Sequence, residues 1–152
     1  MRRIAALGAI LALLAACDQS RSLPGSELSS LRIATRNGSV VLLVEVAETR
    51  AARAHGLMGR DSLQADHGMA FIWHSPVEEP FWMKDTRIPL SIAFWDKRSR
   101  IVSILDMSPC RADPCPTYDA GVPYLGAVEA NRGFFADHGV GVGDRVTLSA
   151  SE

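Results

Sequence analysis

The feature that most constrains the fold is a series of short apolar runs separated by turn residues, with no long helical segment between them. Such spacing is typical of a β-sandwich or barrel, whereas parallel α/β folds need long helices between the strands. We therefore predict a compact, mainly β domain, an antiparallel β-sandwich or barrel-like, with one or two short helices. The predicted strands are residues 31–36, 40–47, 68–73, 81–84, 90–95, 101–107, 124–130 and 145–148.

Local signals sharpen three of these elements. Asn37-Gly38 lies between the first two apolar runs, and this dipeptide is the strongest short hairpin signal. Thr49 can cap a short helix over residues 50–55, which Gly56 and Gly59 would end. Residues 134–138 are predicted to form a short helical turn.

The amino terminus, MRRIAALGAILALLAAC, predicts an exported lipoprotein. Arg2 and Arg3 precede an apolar run that is too short to span a bilayer, which needs about 20 apolar residues, and that suits a signal peptide. The run ends in Leu-Ala-Ala-Cys, which resembles a bacterial lipobox. We expect residues 1–16 to be removed and Cys17 to receive lipid. An ordinary cleavage site with an incidental cysteine is the alternative.

Lipidation predicts the location. Stable anchoring needs two or more acyl chains, so we expect a domain held on the cell membrane by lipid at Cys17, facing the periplasm or the cell exterior. Asp18 resembles an inner-membrane retention signal. Residues 17–30 are polar and rich in turn residues, and they are predicted to form a tether. We expect the remaining residues, 31–152, to form a single domain.

The charge of the mature chain argues against nucleic acid as a partner. Removal of Arg2 and Arg3 leaves 14 cationic against 17 acidic residues, a formal charge of −3. Nucleic-acid binding would call for a clustered basic surface. The predicted partners are the membrane and a small polar ligand or envelope component.

Two cysteines remain after lipidation of Cys17. Cys110 and Cys115 lie in the proline-rich segment SPCRADPCP. An oxidising compartment favours a disulfide between them. A zinc site or a redox pair is disfavoured, because a four-residue gap without a nearby histidine fits neither pattern. No metal and no cofactor are predicted.

Five strings in order resemble the bacterial and archaeal domain-of-unknown-function family 192: GLMGR, GMAFIW, FWMKDTRIPLSIAFWD, PCRADPCPTY and VGDRV. The resemblance covers about residues 33–149. It implies a compact, mainly β sandwich and no particular activity. Relative to the family pattern, Asp85 stands where Asn is usual and Ser91 where Asp is usual.

The FWMKDT string supplies most of the candidate binding residues. Side chains alternate along a strand, so Trp82, Lys84 and Thr86 would share one face, and Asp85 would lie on the other with Phe81 and Met83. A cation, a ring and a hydroxyl would suit a sugar or a carboxylate. The competing interpretation is a core strand whose lysine extends to solvent. Trp73, Trp82 and Trp95 could form a carbohydrate platform, although tryptophans in β domains are more often core residues.

Glu129 follows an apolar stretch, and buried carboxylates are rarely unpaired. We predict that it pairs with Arg60 or Lys84, beside a pocket wall formed by Trp82. An exposed strand end is the alternative. The binding site would then comprise Arg60, Trp82, Lys84, Asp85, Thr86 and Glu129.

Three functions remain open: a binding module, an enzyme acting on a glycan or another polar envelope substrate through Asp85, Glu129 and Lys84, and a structural or partner-docking lipoprotein. No serine-hydrolase or histidine metal motif is present in the sequence. Binding is therefore preferred over catalysis.

Overall fold

The computed structural model describes residues 28–150. The predicted signal peptide, Cys17 and most of the predicted tether lie outside the described residues. Strands account for 48% of the structure and helices for 8%, so the mainly β prediction is confirmed. The elements are β1 (Ser29–Thr35), β2 (Gly38–Ala47), α1 (Arg50–His55), β3 (His67–Val77), β4 (Phe81–Trp82), β5 (Leu90–Trp95), β6 (Ile101–Met107), β7 (Thr117–Tyr118), β8 (Tyr124–Asn131), α2 (Phe134–Asp137) and β9 (Arg145–Ser149).

Seven strands form one curled sheet in the order β6-β5-β8-β3-β2-β1-β9, and β4 pairs with β7 in a separate ribbon. Neighbouring strands are antiparallel except for β2 and β3, which are parallel. The two edges of the sheet meet at one end. There the Ile101 N–H donates to the Asp144 carbonyl, and the Val146 N–H donates to the Ser99 carbonyl, each over 2.9 Å. The result is a half-barrel.

Most predicted boundaries differ from the structure by one or a few residues, and the short strand β7 was not predicted. The first hairpin turns at Arg36 and Asn37, and Gly38 is already the first residue of β2, paired with Thr35. The predicted strand 81–84 ends at Trp82 because the chain turns sharply, with the Thr86 N–H donating to the Met83 carbonyl over 3.2 Å. The predicted alternation of faces therefore does not extend to residues 84–86.

The predicted helix cap is confirmed. The Thr49 side chain accepts a hydrogen bond from the Ala52 N–H over 3.1 Å, which satisfies one of the free donors of the first turn. α1 ends at Gly56, whose φ of 51° is costly for other residues. This short helix lies along one side of the candidate site.

Apolar side chains fill both faces of the sheet. Along β3, Ala70 belongs to one cluster, whereas Met69, Phe71 and Trp73 belong to the other. The second cluster also contains Leu57, which follows α1, and packs against Phe81 of β4. Residues of β3, β4, β8 and the α1 segment thus converge on one side of the sheet, where the candidate site lies.

Cys110 and Cys115 form a disulfide, with Cα atoms 5.6 Å apart, as predicted. For so short a loop the entropic stabilisation is about 2 kcal/mol. The Cys110 N–H donates to the Met83 carbonyl over 3.4 Å, so the bridged loop lies against the segment after β4. Neither helix within residues 28–150 has the length and apolar character needed to cross a membrane.

Candidate functional site

Glu129 is a carboxylic acid in the middle of the sheet. Strand β8 pairs with both β3 and β5, and Glu129 stands opposite Met69 on one side and Ile92 on the other. Only 5% of the residue is exposed. Carboxylates are almost never buried this deeply without a partner, so the surroundings of Glu129 decide what it can do.

The predicted ion pair of Glu129 with Arg60 or Lys84 is wrong. Arg60 instead binds Glu45 through two short contacts, Nη1 to Oε1 over 2.6 Å and Nη2 to Oε2 over 2.7 Å. Lys84 faces Asp113 of the disulfide loop over 3.3 Å. Both cations are held by acidic residues nearer the surface, and Glu129 makes no salt bridge within the part of the chain that the structure describes.

Burial controls the ionisation of Glu129. Loss of hydration disfavours the charged form and raises the pKa of this carboxyl from 4.5 to about 8. Glu129 is therefore mostly uncharged at neutral pH. A neutral carboxylic acid offers one O–H donor together with acceptor oxygens. Perturbed titratable groups of this kind concentrate at functional sites.

Glu129 lies on a small cavity of about 30 Å³, which we name the inner chamber. This volume corresponds to about one water molecule. Trp82 lines the chamber together with Glu129, as predicted, and so does Thr86. The full lining is Arg53, Ala54, His55, Gly56, Leu57, Met58, Phe71, Phe81, Trp82, Thr86 and Glu129.

A larger cavity of about 550 Å³, which we name the cleft, adjoins the inner chamber. The two cavities have Arg53, Ala54, Phe71, Phe81 and Trp82 in common. Small-molecule sites typically measure about 300–1,000 Å³ and combine aromatic walls with a few polar groups. The cleft fits that description, since it is lined by Arg50, Arg53, Ala54, Phe71, Trp73, Glu79, Pro80, Phe81 and Trp82.

Trp73 lines the cleft and has a hydrogen-bond donor without a partner among the described residues. Its indole packs edge-on against Phe81 and Tyr124, and the residue is 8% exposed. The indole N–H is buried and has no partner among the described residues. Leaving a buried donor unpaired costs about 1–3 kcal/mol, and a ligand acceptor would remove that cost.

Two arginines of α1 line the cleft. Arg50 and Arg53 are three positions apart, which places them on one face of the helix. The Arg53 guanidinium lies 4.8 Å from the Trp73 ring centroid and donates to the backbone carbonyls of Glu48 and Ile72. Arg50 is exposed and makes no ion pair with another residue in 28–150.

The other predicted site residues lie elsewhere. Lys84 is on the surface, 6.0 Å from the Trp82 ring centroid. Asp85 is exposed and lines a different cavity beside the disulfide loop. Its φ of 55° is in the left-handed region, which Asp and Asn tolerate better than most residues. The position therefore has a backbone role that either residue type can fill.

Ser91 is fully enclosed and hydrogen-bonded. Its hydroxyl donates to Asp106, the residue opposite it on β6, and accepts from the Gly133 N–H at the start of α2 over 2.9 Å. Arg132 approaches Asp106 over 3.6 Å. A carboxylate is thus present beside Ser91, but it comes from the neighbouring strand and serves the packing of α2.

Sequence reasoning missed Arg50, Arg53 and Glu79, and for Trp73 it left open a carbohydrate platform and a core position. A signal for the arginines was available, since their spacing on a capped helix places them on one face. No signal marked Trp73, because a missing partner is visible only in three dimensions. Within residues 28–150, no group of three or more His, Cys, Asp or Glu residues could hold a metal ion.

Comparison with known proteins gives a family and a fold. The model of the family DUF192, described as "Uncharacterized ACR, COG1430", matches residues 32–148. A solved structure of a protein of unknown function from Novosphingobium aromaticivorans DSM 12444 is 31% identical, with a TM-score of 0.76, over 92% of this chain and 99% of that one. A Sinorhizobium meliloti 1021 protein, described as a candidate transcription regulator, is 30% identical, with a TM-score of 0.74, over 80% and 93% of the two chains. No curated protein matches the sequence.

Proposed function

The chain belongs to the uncharacterised DUF192 family, and we propose that this member is a lipid-anchored binding module for a small polar ligand, outside the cytoplasm. The ligand site is the cleft together with the inner chamber. One observation carries the proposal: the Glu129 carboxyl and the Trp73 indole N–H are buried polar groups without partners among residues 28–150, and the two residues line adjoining cavities.

Hydrogen bonds that the protein does not satisfy give the site an energetic reason to bind a ligand. Buried polar groups are nearly always paired with protein or ordered water. These two groups lie on one side of one sheet and have no protein partner among residues 28–150, and a partner that arrives from solvent would satisfy both. The aromatic side chains that line the cleft supply apolar contact. Arg50, Arg53 and Glu79 give the cleft a formal charge of +1, two positive against one negative.

The anchoring part of the proposal is tested at Cys17. The Cys17→Ser variant lacks the thiol that receives lipid, so we expect it to remain in the aqueous phase of a detergent extraction or to accumulate unprocessed. The wild-type protein should enter the detergent phase, with an intact mass increased by the lipid. A processed Ser variant that still partitions into detergent would contradict anchoring at this residue.

The binding part is tested by filling the cleft from its rim. Ala54 of α1 is exposed and lines both cavities, so Ala54→Trp should place a ring in the ligand space without removing a polar group. Ala51 is exposed on the same helix and does not line either cavity, so Ala51→Trp is the matched control.

The readout is thermal unfolding of the three proteins with glucuronate, glucose, phenylalanine, citrate and AMP. A compound that binds the native state raises its apparent stability by about 2.7 kcal/mol at a hundred times its Kd. We expect at least one compound to stabilise the wild type and Ala51→Trp but not Ala54→Trp. Equal stabilisation of both variants, or no stabilisation by any compound, would contradict the proposed site.

Catalysis is a second candidate function, favoured by the raised pKa of Glu129. A general acid acting near neutral pH requires a carboxyl whose pKa is raised in this way. Glu79 supplies a second carboxylate in the adjoining cleft, as a glycan hydrolase would require. Release of reducing ends from an envelope glycan by the wild type, abolished in Glu129→Gln, would favour the enzyme over the binding module.

A further inference from the structure

The positive charge of the cleft favours a ligand with a negative charge. Arg50 and Arg53 project from one face of α1, and Arg53 is held in place by two backbone carbonyls and by the ring of Trp73. Arg50 has no such restraint and makes no ion pair among the described residues. A guanidinium binds a carboxylate through two parallel hydrogen bonds. The ligand therefore carries an anionic group at the α1 side.

The aromatic wall selects a ligand with a flat apolar face. Trp82 is 50% exposed although it is a large ring, and it borders both the cleft and the inner chamber. Phe71, Trp73 and Phe81 form the adjoining surface through edge-to-face contacts. Rings of this kind bury large apolar areas of a bound molecule.

The unmet hydrogen bonds select hydroxyl groups. The Trp73 indole only donates, so it needs an acceptor, whereas the neutral Glu129 carboxyl both donates and accepts. The Glu79 carboxylate on the cleft wall only accepts. A hydroxyl both donates and accepts, so a ligand that carries several hydroxyls can satisfy all three. An aromatic acid whose only carboxylate binds Arg50 would fill the cleft but would offer no further polar group to Trp73 and Glu129.

We infer that the ligand of the cleft is an acidic sugar, a pyranose ring with a carboxylate. Its ring lies against Trp82, its carboxylate binds Arg50, and its hydroxyls bind the Trp73 N–H and Glu129, the latter directly or through one water in the inner chamber. The inference rests on the proposed function and names the ligand class of that same site.

The inference is tested by comparing the affinities of an acidic sugar, a neutral sugar and an aromatic amino acid. Titration calorimetry with the folded chain would compare glucuronate, glucose and phenylalanine. A charge-assisted hydrogen bond is worth about 1.5–3 kcal/mol, which corresponds to a Kd for glucuronate about ten- to a hundredfold below that for glucose. In Arg50→Gln the two sugars should bind alike. The control, Arg36→Gln, alters an exposed arginine in the β1–β2 turn and should keep the preference.

Trp82→Ala adds an independent check, because it should weaken the binding of glucose and the binding of glucuronate by the same factor. Three results would each overturn the inference. They are equal Kd values for the two sugars in the wild type, tighter binding of phenylalanine than of glucuronate, and a preference for glucuronate over glucose that survives in Arg50→Gln. These outcomes leave the proposed function standing if binding still disappears in Ala54→Trp. Failure of glucuronate to bind overturns the inference alone, whereas the proposed function falls only when no compound of the wider panel is sensitive to Ala54→Trp.

Discussion

Glu129→Gln should make the protein markedly more resistant to alkaline unfolding and leave its stability near pH 5 close to that of the wild type. The folded state holds the Glu129 carboxyl in its neutral form, because its apolar surroundings on β3 and β5 cannot hydrate a charge. Gln has the same shape and no charge in either state.

The direction of the pH dependence follows from proton binding. The pKa of Glu129 is raised from 4.5 to about 8 on folding, so between these values the folded state keeps a proton that the unfolded state has lost. Stability therefore falls as pH rises through this window and becomes constant above it. Since one pKa unit corresponds to about 1.4 kcal/mol, the wild type should lose on the order of 4 kcal/mol relative to Glu129→Gln between about pH 5 and pH 9.

Denaturant unfolding of both proteins at the two pH values measures this difference directly. Comparison with the variant cancels the contributions of other titrating groups. Arg53 and His55 also line the inner chamber, but neither forms an ion pair with Glu129. Parallel pH profiles for the wild type and Glu129→Gln would show that the carboxyl is ionised and solvated in the folded protein.

Gly68→Ala should destabilise the domain by about 3 kcal/mol or more, or prevent folding. Gly68 begins the GMAFIW string and pairs with Ala130 across β3 and β8. A Cβ atom at this position would lie 2.4 Å from the Glu129 carbonyl oxygen. That oxygen belongs to the backbone of a central strand, so relief of the clash requires β3 and β8 to separate.

Gly141→Ala is the matched control, because a Cβ there meets no atom within 4 Å and the residue has no positive φ. Its free energy of unfolding should change by less than about 0.5 kcal/mol. Denaturant unfolding of the wild type, Gly68→Ala and Gly141→Ala measures these differences in the free energy of unfolding. Equal stability of Gly68→Ala and Gly141→Ala would mean that β3 and β8 are farther apart at Gly68 than the structure places them.

The fold was largely predictable because its signals are local. Alternating apolar residues, the Asn37-Gly38 pair and the Thr49 cap each act over a few neighbouring residues, and the structure contains the corresponding strands, hairpin and helix. The errors lie at boundaries and in the two-residue strand β7, which was not predicted. The strand after Pro80 stops at Trp82, since a turn with Asp85 in the left-handed region follows it.

The candidate site was only partly predictable because it depends on which strands become neighbours. The apolar sequence context raised the possibility that Glu129 is buried beside Trp82, but it left an exposed strand end open. The choice of ion-pair partners did not follow from the sequence, since Glu45 reaches Arg60 from β2, fifteen positions away, and Asp113 reaches Lys84 from the disulfide loop. The unpaired Trp73 donor has no sequence signature, because an N–H lacks a partner only when the whole fold has been assembled.

The indole N–H of Trp73 offers the most direct test of the account. The chain has three tryptophans, whose indole signals can be resolved by ¹H–¹⁵N NMR and assigned with single Trp→Phe variants. The probe is the compound of the panel that binds most tightly. We predict that the Trp73 signal moves downfield as its N–H gains an acceptor. Trp95, which packs in the other core cluster, should not respond. A Trp73 signal that stays fixed while the protein becomes saturated would contradict the account.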